Sequence, residues 1–368
     1  MSDMYLGLMS GTSMDGVDAV VADFSQLPPR ILAHHQQAIP SPLLAKLHRL
    51  CKPGEDELTV MAEASVEVAA LFAQTAIQAI NHAQLQASDI VAIGSHGQTV
   101  RHFPELGFSL QIGSPSHIAV ATNTDVVADF RNKDMALGGQ GAPLVPAFHQ
   151  AVFSHPQQAR FILNIGGIAN ITRLITGQDL LGYDTGPGNT LLDQHFKRHH
   201  PNGTDYDDNG QWGRSGQLIP ALLAQLLADN YFALSAPKST GREYFHLAWL
   251  DKHLQQPAFI KVQPADIQCT LHHLTVQSIA EQLQGFEQGT VYLCGGGDNN
   301  GLLLELLAKA LPKLSLSRTS ELGIPEQALE ALAFAWLARC FVQQKNGNVG
   351  SVTGANRAAI LGGFYPSK

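Results

Sequence analysis

The sequence predicts an α/β protein made of two similar halves. Leu6–Met9 reads as an apolar strand that passes through the glycine turn Gly11–Gly16 into a returning strand, Val17–Phe24. The same unit recurs about 155 residues later, where Phe161–Asn164 leads through Gly166 and Gly167 into Ile168–Leu174. Segments of helical apolar spacing separate these strands from further ones, which is the alternation of an α/β sheet.

In the first half, Leu58–Leu85 carries helical spacing and Ile90–Ile93 reads as a short buried strand. Ser95-His96-Gly97-Gln98-Thr99 then forms a polar turn at its carboxyl end, where ligands of open α/β sheets gather. Pro115–Ala121 predicts a helix, Asp125–Ala128 a strand, and Leu137–Pro143 a glycine-rich connection. The domain boundary is placed near residue 131, giving domains 1–131 and 132–351, with the tail 352–368 able to return to the first. In the second half, Ile219–Leu227 and Ile267–Leu283 read as amphipathic helices. Residues 202–215, with Asp205, Asp207, Asp208 and Asn209, read as a solvated loop. Val291–Cys294 is a strand feeding another glycine turn, followed by a helix over Leu302–Ala310. Glu326–Phe341 predicts a long helix with Leu329, Leu332, Ala333, Trp336 and Leu337 at core spacing, and the chain from Gly350 is glycine-rich.

A length of 368 residues fits about two cores. The formal charge of −8, with Lys and Arg scattered, argues against a nucleic-acid partner. The N-terminal residues hold an early acid and no basic stretch, so no signal peptide is expected. No run reaches the roughly 18 apolar residues of a membrane span. Cys51, Cys269, Cys294 and Cys340 lack metal or redox spacing, which predicts a cytoplasmic protein with reduced thiols. The paired histidines His34-His35, His199-His200 and His272-His273 point apart on any regular element, so zinc is not expected.

Four glycine-rich turns, at 10–16, 164–170, 182–189 and 294–300, suggest a nucleotide. The first offers Gly11, Thr12, Ser13, Met14, Asp15, Gly16, Val17 and Asp18 for phosphate oxygens, with Asp15 near a metal directly or through water. It lacks the ending of a Walker loop, and a plain hairpin turn is the competing reading. Asn164, Gly166, Gly167 and Asn170 would form a second phosphate clamp. Gly295, Gly296, Gly297 and Asn300 suit an adenosine, or else a helix-capping loop. Asp184, with Gly186, Gly188 and Asn189 behind it, is the catalytic candidate, as a general base or as a metal ligand directly or through water. An N-cap role for Asp184 is disfavoured because Pro187 and Leu191 put the helix start further on. His96, Gln98 and Thr99 offer polar contacts to a sugar or a carboxylate, Arg131 a fork for a carboxylate, and Asp134 an acceptor for hydroxyls. Internal salt bridges compete for Arg131 and Asp134, and solvation competes for Glu330 and Glu326.

The runs Leu8–Gly16, Ser95–Thr99, Gly138–Pro143, Asn164–Asn170 and Asp184–Asn189, in this order, resemble the anhydro-N-acetylmuramic acid kinases over essentially the whole chain. The resemblance implies the sugar kinase, actin and heat-shock chaperone ATPase class, with two ribonuclease H-like domains enclosing ATP and Mg2+ in a cleft. It implies conversion of 1,6-anhydro-N-acetylmuramate, ATP and water to N-acetylmuramate 6-phosphate and ADP in cell-wall recycling. Asp184 would activate the water and Arg131 would take the lactyl carboxylate. His96 and Asp134 would meet sugar polar groups, and Glu330 the sugar or a metal-bound water. An ordinary hexosamine kinase and a non-catalytic sugar sensor are the alternatives. The sequence does not set the oligomeric state; a homodimer is left open.

Overall fold

The structure, a computed structural model, describes residues 3–11 and 13–368. Six strands come first: β1 (Met4–Ser10), β2 (Val17–Asp23), β3 (Arg30–Gln37), β4 (Ala92–Phe103), β5 (Phe108–Ile112) and β6 (Val126–Ala128). Five follow, β7 (Arg160–Ile165), β8 (Ile168–Leu174), β9 (Leu181–Pro187), β10 (Thr290–Cys294) and β11 (Ser315–Arg318), and then β12 (Gly363–Tyr365). The chain divides into two compact units, Met1–Phe153 with Leu322–Lys368, and Ser154–Glu321.

The first unit carries the sheet β12-β6-β4-β1-β2-β3, with β5 hairpinned onto the far end of β4. β1, β2 and β3 form an antiparallel meander, and β4 and β6 continue parallel on the other side of β1. The second unit repeats this in β11-β10-β7-β8-β9: β7, β8 and β9 meander, then β10 and β11 run parallel. One order and one set of polarities in both sheets is the duplication read from the sequence. Each unit has the ribonuclease H-like order of strands and polarities.

Why β1 and β4 are glycine-interrupted follows from what covers them. The helix Leu329–Val342 lies so close that a Cβ on Gly7 would fall 1.8 Å from the Ala331 carbonyl oxygen, and one on Gly94 2.0 Å from that of Phe334. The helix Glu57–His82 packs on β2 and β3 through Val60, Ala64, Val68, Phe72, Ala76 and Ile80. With both faces covered, β1 and β2 are buried almost without interruption. In the second unit the helix Pro264–Ala280 packs on β8 and β9 and builds the core with Phe161, Leu163, Ile171 and Leu293.

Several expectations change. Ser95–Thr99 is no turn: β4 runs unbroken from Ala92 to Phe103, because β5 pairs with its outer half and prolongs it beyond the sheet. Asp184 sits inside β9, as that edge strand extends through Pro187. Residues 202–215 are not simply solvated: Asp207 is 5% exposed and accepts the amides of Trp212 and Gly213, nucleating the short helix Gln211–Ser215. Glu326–Ala328 is a 3-10 turn preceding the helix proper. The helices Phe130–Ala136 and Val145–Phe153, unread in the sequence, belong to the first unit, so the division falls after Phe153 and Glu321, not near 131 and 351. The helix Glu57–His82 does reach the length and apolar composition of a span, and half of that stretch is buried in the core.

Candidate functional site

In the first unit, the hairpin turn between β1 and β2 is braced from β4. Ser10 Oγ lies 2.8 Å from the Gly16 carbonyl and 2.7 Å from Gln98 Oε1, and Gln98 Nε2 donates to the carbonyls of Gly11 and Thr99 at 3.2 Å. Gln98, 1% exposed, therefore shapes the turn. Met14, with φ 58°, and Val17 bury their side chains in the core, leaving only backbone for a ligand. Asp18 Oδ1 meets His34 Nε2 across the β2–β3 pair at 2.8 Å. Asp15 is exposed, Gly11 and Ser13 are half-buried, and Gly16 is buried. Thr12 lies outside the described residues.

A second group in this unit is a chain of contacts that ends on a guanidinium. Asp134, fully buried, accepts from the Gly141 amide at 2.9 Å, Asn348 Nδ2 at 2.6 Å and Thr353 Oγ1 at 2.7 Å. A Cβ on Gly139 would strike its Oδ2, so glycine is required for the approach. The Gly141 carbonyl in turn accepts Arg131 Nη1 at 2.7 Å, and Arg131 Nη2 and Nε donate to His96 Nε2 at 2.8 and 3.2 Å. Asp134, expected on the sugar, thus has its carboxylate occupied by protein donors and holds the loop that holds Arg131. Burial, and then the Arg131 charge, drive the His96 pKa well below 6.5. The ring is neutral, and since Nε2 accepts, Nδ1 carries the proton. The backbone of Ser10 and Gly97 partly counters that shift, and Nδ1 has no partner in hydrogen-bond geometry among the described residues. Desolvation lowers the Arg131 pKa to about 10, opposed by the negative charges of Glu330 and Asp134. Thr99 Oγ1 accepts from Gln111 Nε2 at 3.0 Å.

In the second unit, Asp184 lies on β9 directly across from Asn170 on β8, the two facing the same side of the sheet. The free edge of β9 is taken up by a segment from 238 to 240. The Asp184 amide donates to the Lys238 carbonyl and the Thr240 amide donates to Asp184 Oδ2, each at 3.0 Å, while Tyr231 Oη donates to the Asp184 carbonyl at 2.7 Å. Oδ1 accepts no hydrogen bond among the described residues. Burial raises the Asp184 pKa to about 6; the Thr240 amide opposes the rise and the charge of Glu243 adds to it. Lys238 is buried over the Tyr231 ring at 4.7 Å, and desolvation lowers its pKa.

The two neighbouring glycine turns are locked to each other. The amides of Gly188 and Thr190 donate to the Gly167 carbonyl and that of Asn189 to the Gly166 carbonyl, at 2.8–3.0 Å. Those amides are consequently withdrawn from phosphate binding, and Asn189 Nδ2 donates to the Ile165 carbonyl. Gly186 adopts φ 155° and packs on Phe232 and Ser278. Gly295 and Gly297 fold onto Asn164 and Ile165, closely enough that a Cβ on either would clash, whereas Gly296 meets nothing within 3.4 Å. Asn300 caps the helix Gly301–Ala310 by accepting the Leu303 amide at 3.2 Å, the capping alternative.

Sequence reasoning missed Tyr231, Lys238, Thr240, Arg242 and Glu243. The run Lys238-Ser239-Thr240-Gly241-Arg242-Glu243 concentrates charges and hydroxyls around a glycine and was the signal available. Among the described residues, no three His, Cys, Asp or Glu side chains gather into a metal cage.

A family model described as anhydro-N-acetylmuramic acid kinase matches residues 3–367. The chain is 50% identical over 370 residues to the anhydro-N-acetylmuramic acid kinase of Shewanella pealeana, covering 100% of this chain and 99% of that one. It is 51% identical over 371 residues to that of Shewanella sp. strain ANA-3, covering 99% of each. Among solved structures it is similar to component A of Acidaminococcus fermentans (R)-2-hydroxyglutaryl-CoA dehydratase, with a TM-score of 0.48 and 12% identity over 92% of this chain and 100% of that one, which is too distant to bear on function. On the family model and these full-length identities, the chain belongs to the anhydro-N-acetylmuramic acid kinase family.

Proposed function

We propose that the chain uses ATP and water to convert 1,6-anhydro-N-acetylmuramate to N-acetylmuramate 6-phosphate and ADP, in the recycling of cell-wall sugar. The observation that carries the mechanism is Asp184. One carboxylate oxygen is held by the Thr240 amide, the other accepts no hydrogen bond among the described residues, and burial raises the pKa to about 6. Such a carboxylate is ionised near neutrality yet is a stronger base than an exposed one, as a general base requires. It takes a proton from the water that attacks the anomeric carbon; the C1–O6 bond opens, and O6 attacks the γ-phosphate.

Arg131 is oriented by His96 and Gly141 to take the lactyl carboxylate, with the buried, neutral His96 ring held behind it. Glu330 lies close enough to stabilise the Arg131 charge and to share the sugar or a metal-bound water. Gly11, Ser13 and Gly16 offer backbone to phosphate oxygens, and Gly166, Gly167 and Gly296 offer backbone to a nucleotide. Magnesium would neutralise the β- and γ-phosphate charge. A phosphate-bound, largely hydrated magnesium needs only one or two carboxylates, and either exposed Asp15 or Asp184 would fit that demand, directly or through water. A supply of ATP places the reaction in the cytoplasm.

The test is product analysis in ¹⁸O-water. Label on the anomeric carbon and none in the transferred phosphate is the expected result; label in the phosphate would mean that water attacks ATP. A hexosamine kinase would phosphorylate unlabelled sugar without the anhydro ring, and a sensor would release no ADP in response to it.

A further inference from the structure

Among the described residues, one arginine of the second unit has a charge that is not engaged. Arg198 pairs with Asp251, Arg214 with Glu305 and Arg318 with Asp298, while Arg160 and Arg173 lie over the rings of Tyr292 and Phe286. Arg242 is exposed and has no ion pair, hydrogen bond or ring contact among the described residues. Its position is nevertheless specific. Its guanidinium rests on Gly167, where a Cβ would come 2.8 Å from Nε and 2.9 Å from Nη2. Gly167 belongs to the turn locked to residues 188–190, and two residues before Arg242 the Thr240 amide fixes Asp184. One short segment therefore carries both the support of the proton acceptor and an unpaired fork of donors set against a glycine turn.

We infer that Arg242 is the cation that meets the equatorial oxygens of the transferring γ-phosphoryl group, an assignment that rests on the kinase reading. In the step, water oxygen bonds to C1 and its proton passes to Asp184. The C1–O6 electron pair leaves with O6, which forms the new bond to phosphorus. The bond from phosphorus to the bridging oxygen breaks and its pair departs with ADP. Arg242 forms no covalent bond and exchanges no proton. Its planar donors answer the charge spread over the phosphoryl oxygens, as a guanidinium does in other phosphoryl transfers.

The test compares the wild-type full chain with Arg242→Ala and Arg242→Lys, thermal melting serving as the check on folding. An exposed, unpaired side chain contributes little to stability, so both variants should melt with the wild type. Arg242→Ala should lower kcat by roughly 10³-fold, with KM for the anhydro sugar little changed and with partial recovery on adding free guanidinium; Arg242→Lys should lose less. An active wild type with an unchanged kcat in Arg242→Ala overturns the assignment alone. So does a loss confined to KM for the muramic sugar and absent with its glucosamine counterpart, which would place Arg242 on the lactyl carboxylate. A wild type that forms no phosphorylated sugar overturns the kinase reading itself.

Discussion

The Thr240 amide holds Asp184 Oδ2 at 3.0 Å, and in doing so fixes the carboxylate by a residue 56 positions further along the chain. The bond favours the ionised form, but burial outweighs it, and the net pKa rises to about 6.

Asp184→Asn keeps the size and removes the proton acceptor. Turnover should fall by roughly 10²–10⁴, with ATP binding largely kept, as measured by ADP release and by nucleotide titration. For the wild type, kcat/KM should drop about tenfold per pH unit below about pH 6 as the carboxylate protonates. A profile flat down to pH 5 would remove Asp184 as the base.

The same group makes a prediction about stability. Its folded pKa lies above its unfolded value, so the stabilising form is the protonated one. That contribution is complete below about pH 4 and is lost as the pH rises through about 6. The rise from 3.8 to about 6 corresponds to roughly 3 kcal/mol. Asp184→Asn, which mimics the neutral acid, should therefore melt higher than the wild type at pH 8, and the difference should close towards pH 4.

Arg131→Ala should weaken the muramic substrate by roughly 10- to 150-fold, the worth of a charge-assisted contact of about 1.5–3 kcal/mol, and should spare a glucosamine analogue without the lactyl group. Steady-state kinetics on both sugars decide it; equal losses would give Arg131 another role.

Asn348→Ala withdraws one of three side-chain and backbone donors from the buried Asp134 carboxylate. A loss of about 1–3 kcal/mol in urea unfolding is expected. Because Asp134 holds Gly141 and Gly141 holds Arg131, KM for the muramic sugar should rise with it, while KM for ATP stays. Unaltered sugar kinetics in a destabilised variant would sever that chain of contacts.

The glycine turns were legible because glycine punctuates strands, and Asp184, Arg131 and His96 drew notice as candidates because they sit in polar runs between apolar ones. What was not legible is what those residues touch. Gln98 looks like a sugar donor until its amide is found bracing Ser10 and Gly11, 88 and 87 positions away. Asp134 looks like a hydroxyl acceptor until donors from Asn348 and Thr353, 214 and 219 positions away, fill it. Strand ends were misplaced at Thr99 and Asp184 for a related reason: pairing with β5 extends one strand, and pairing with β8 carries the other through glycine and proline. Local propensity yields to partners that lie far off in sequence.

Gly7 and Gly94 give up their side chains to a helix that begins at Leu329. During synthesis the sheet of the first unit is exposed long before that helix, and β12 after it, leave the ribosome. The second unit, contiguous from Ser154 to Glu321, is complete earlier. Domains fold as units as they emerge, so the half that carries Asp184 matures first, and the half that carries Arg131 waits, with an apolar groove over two glycines, for the last stretch of chain.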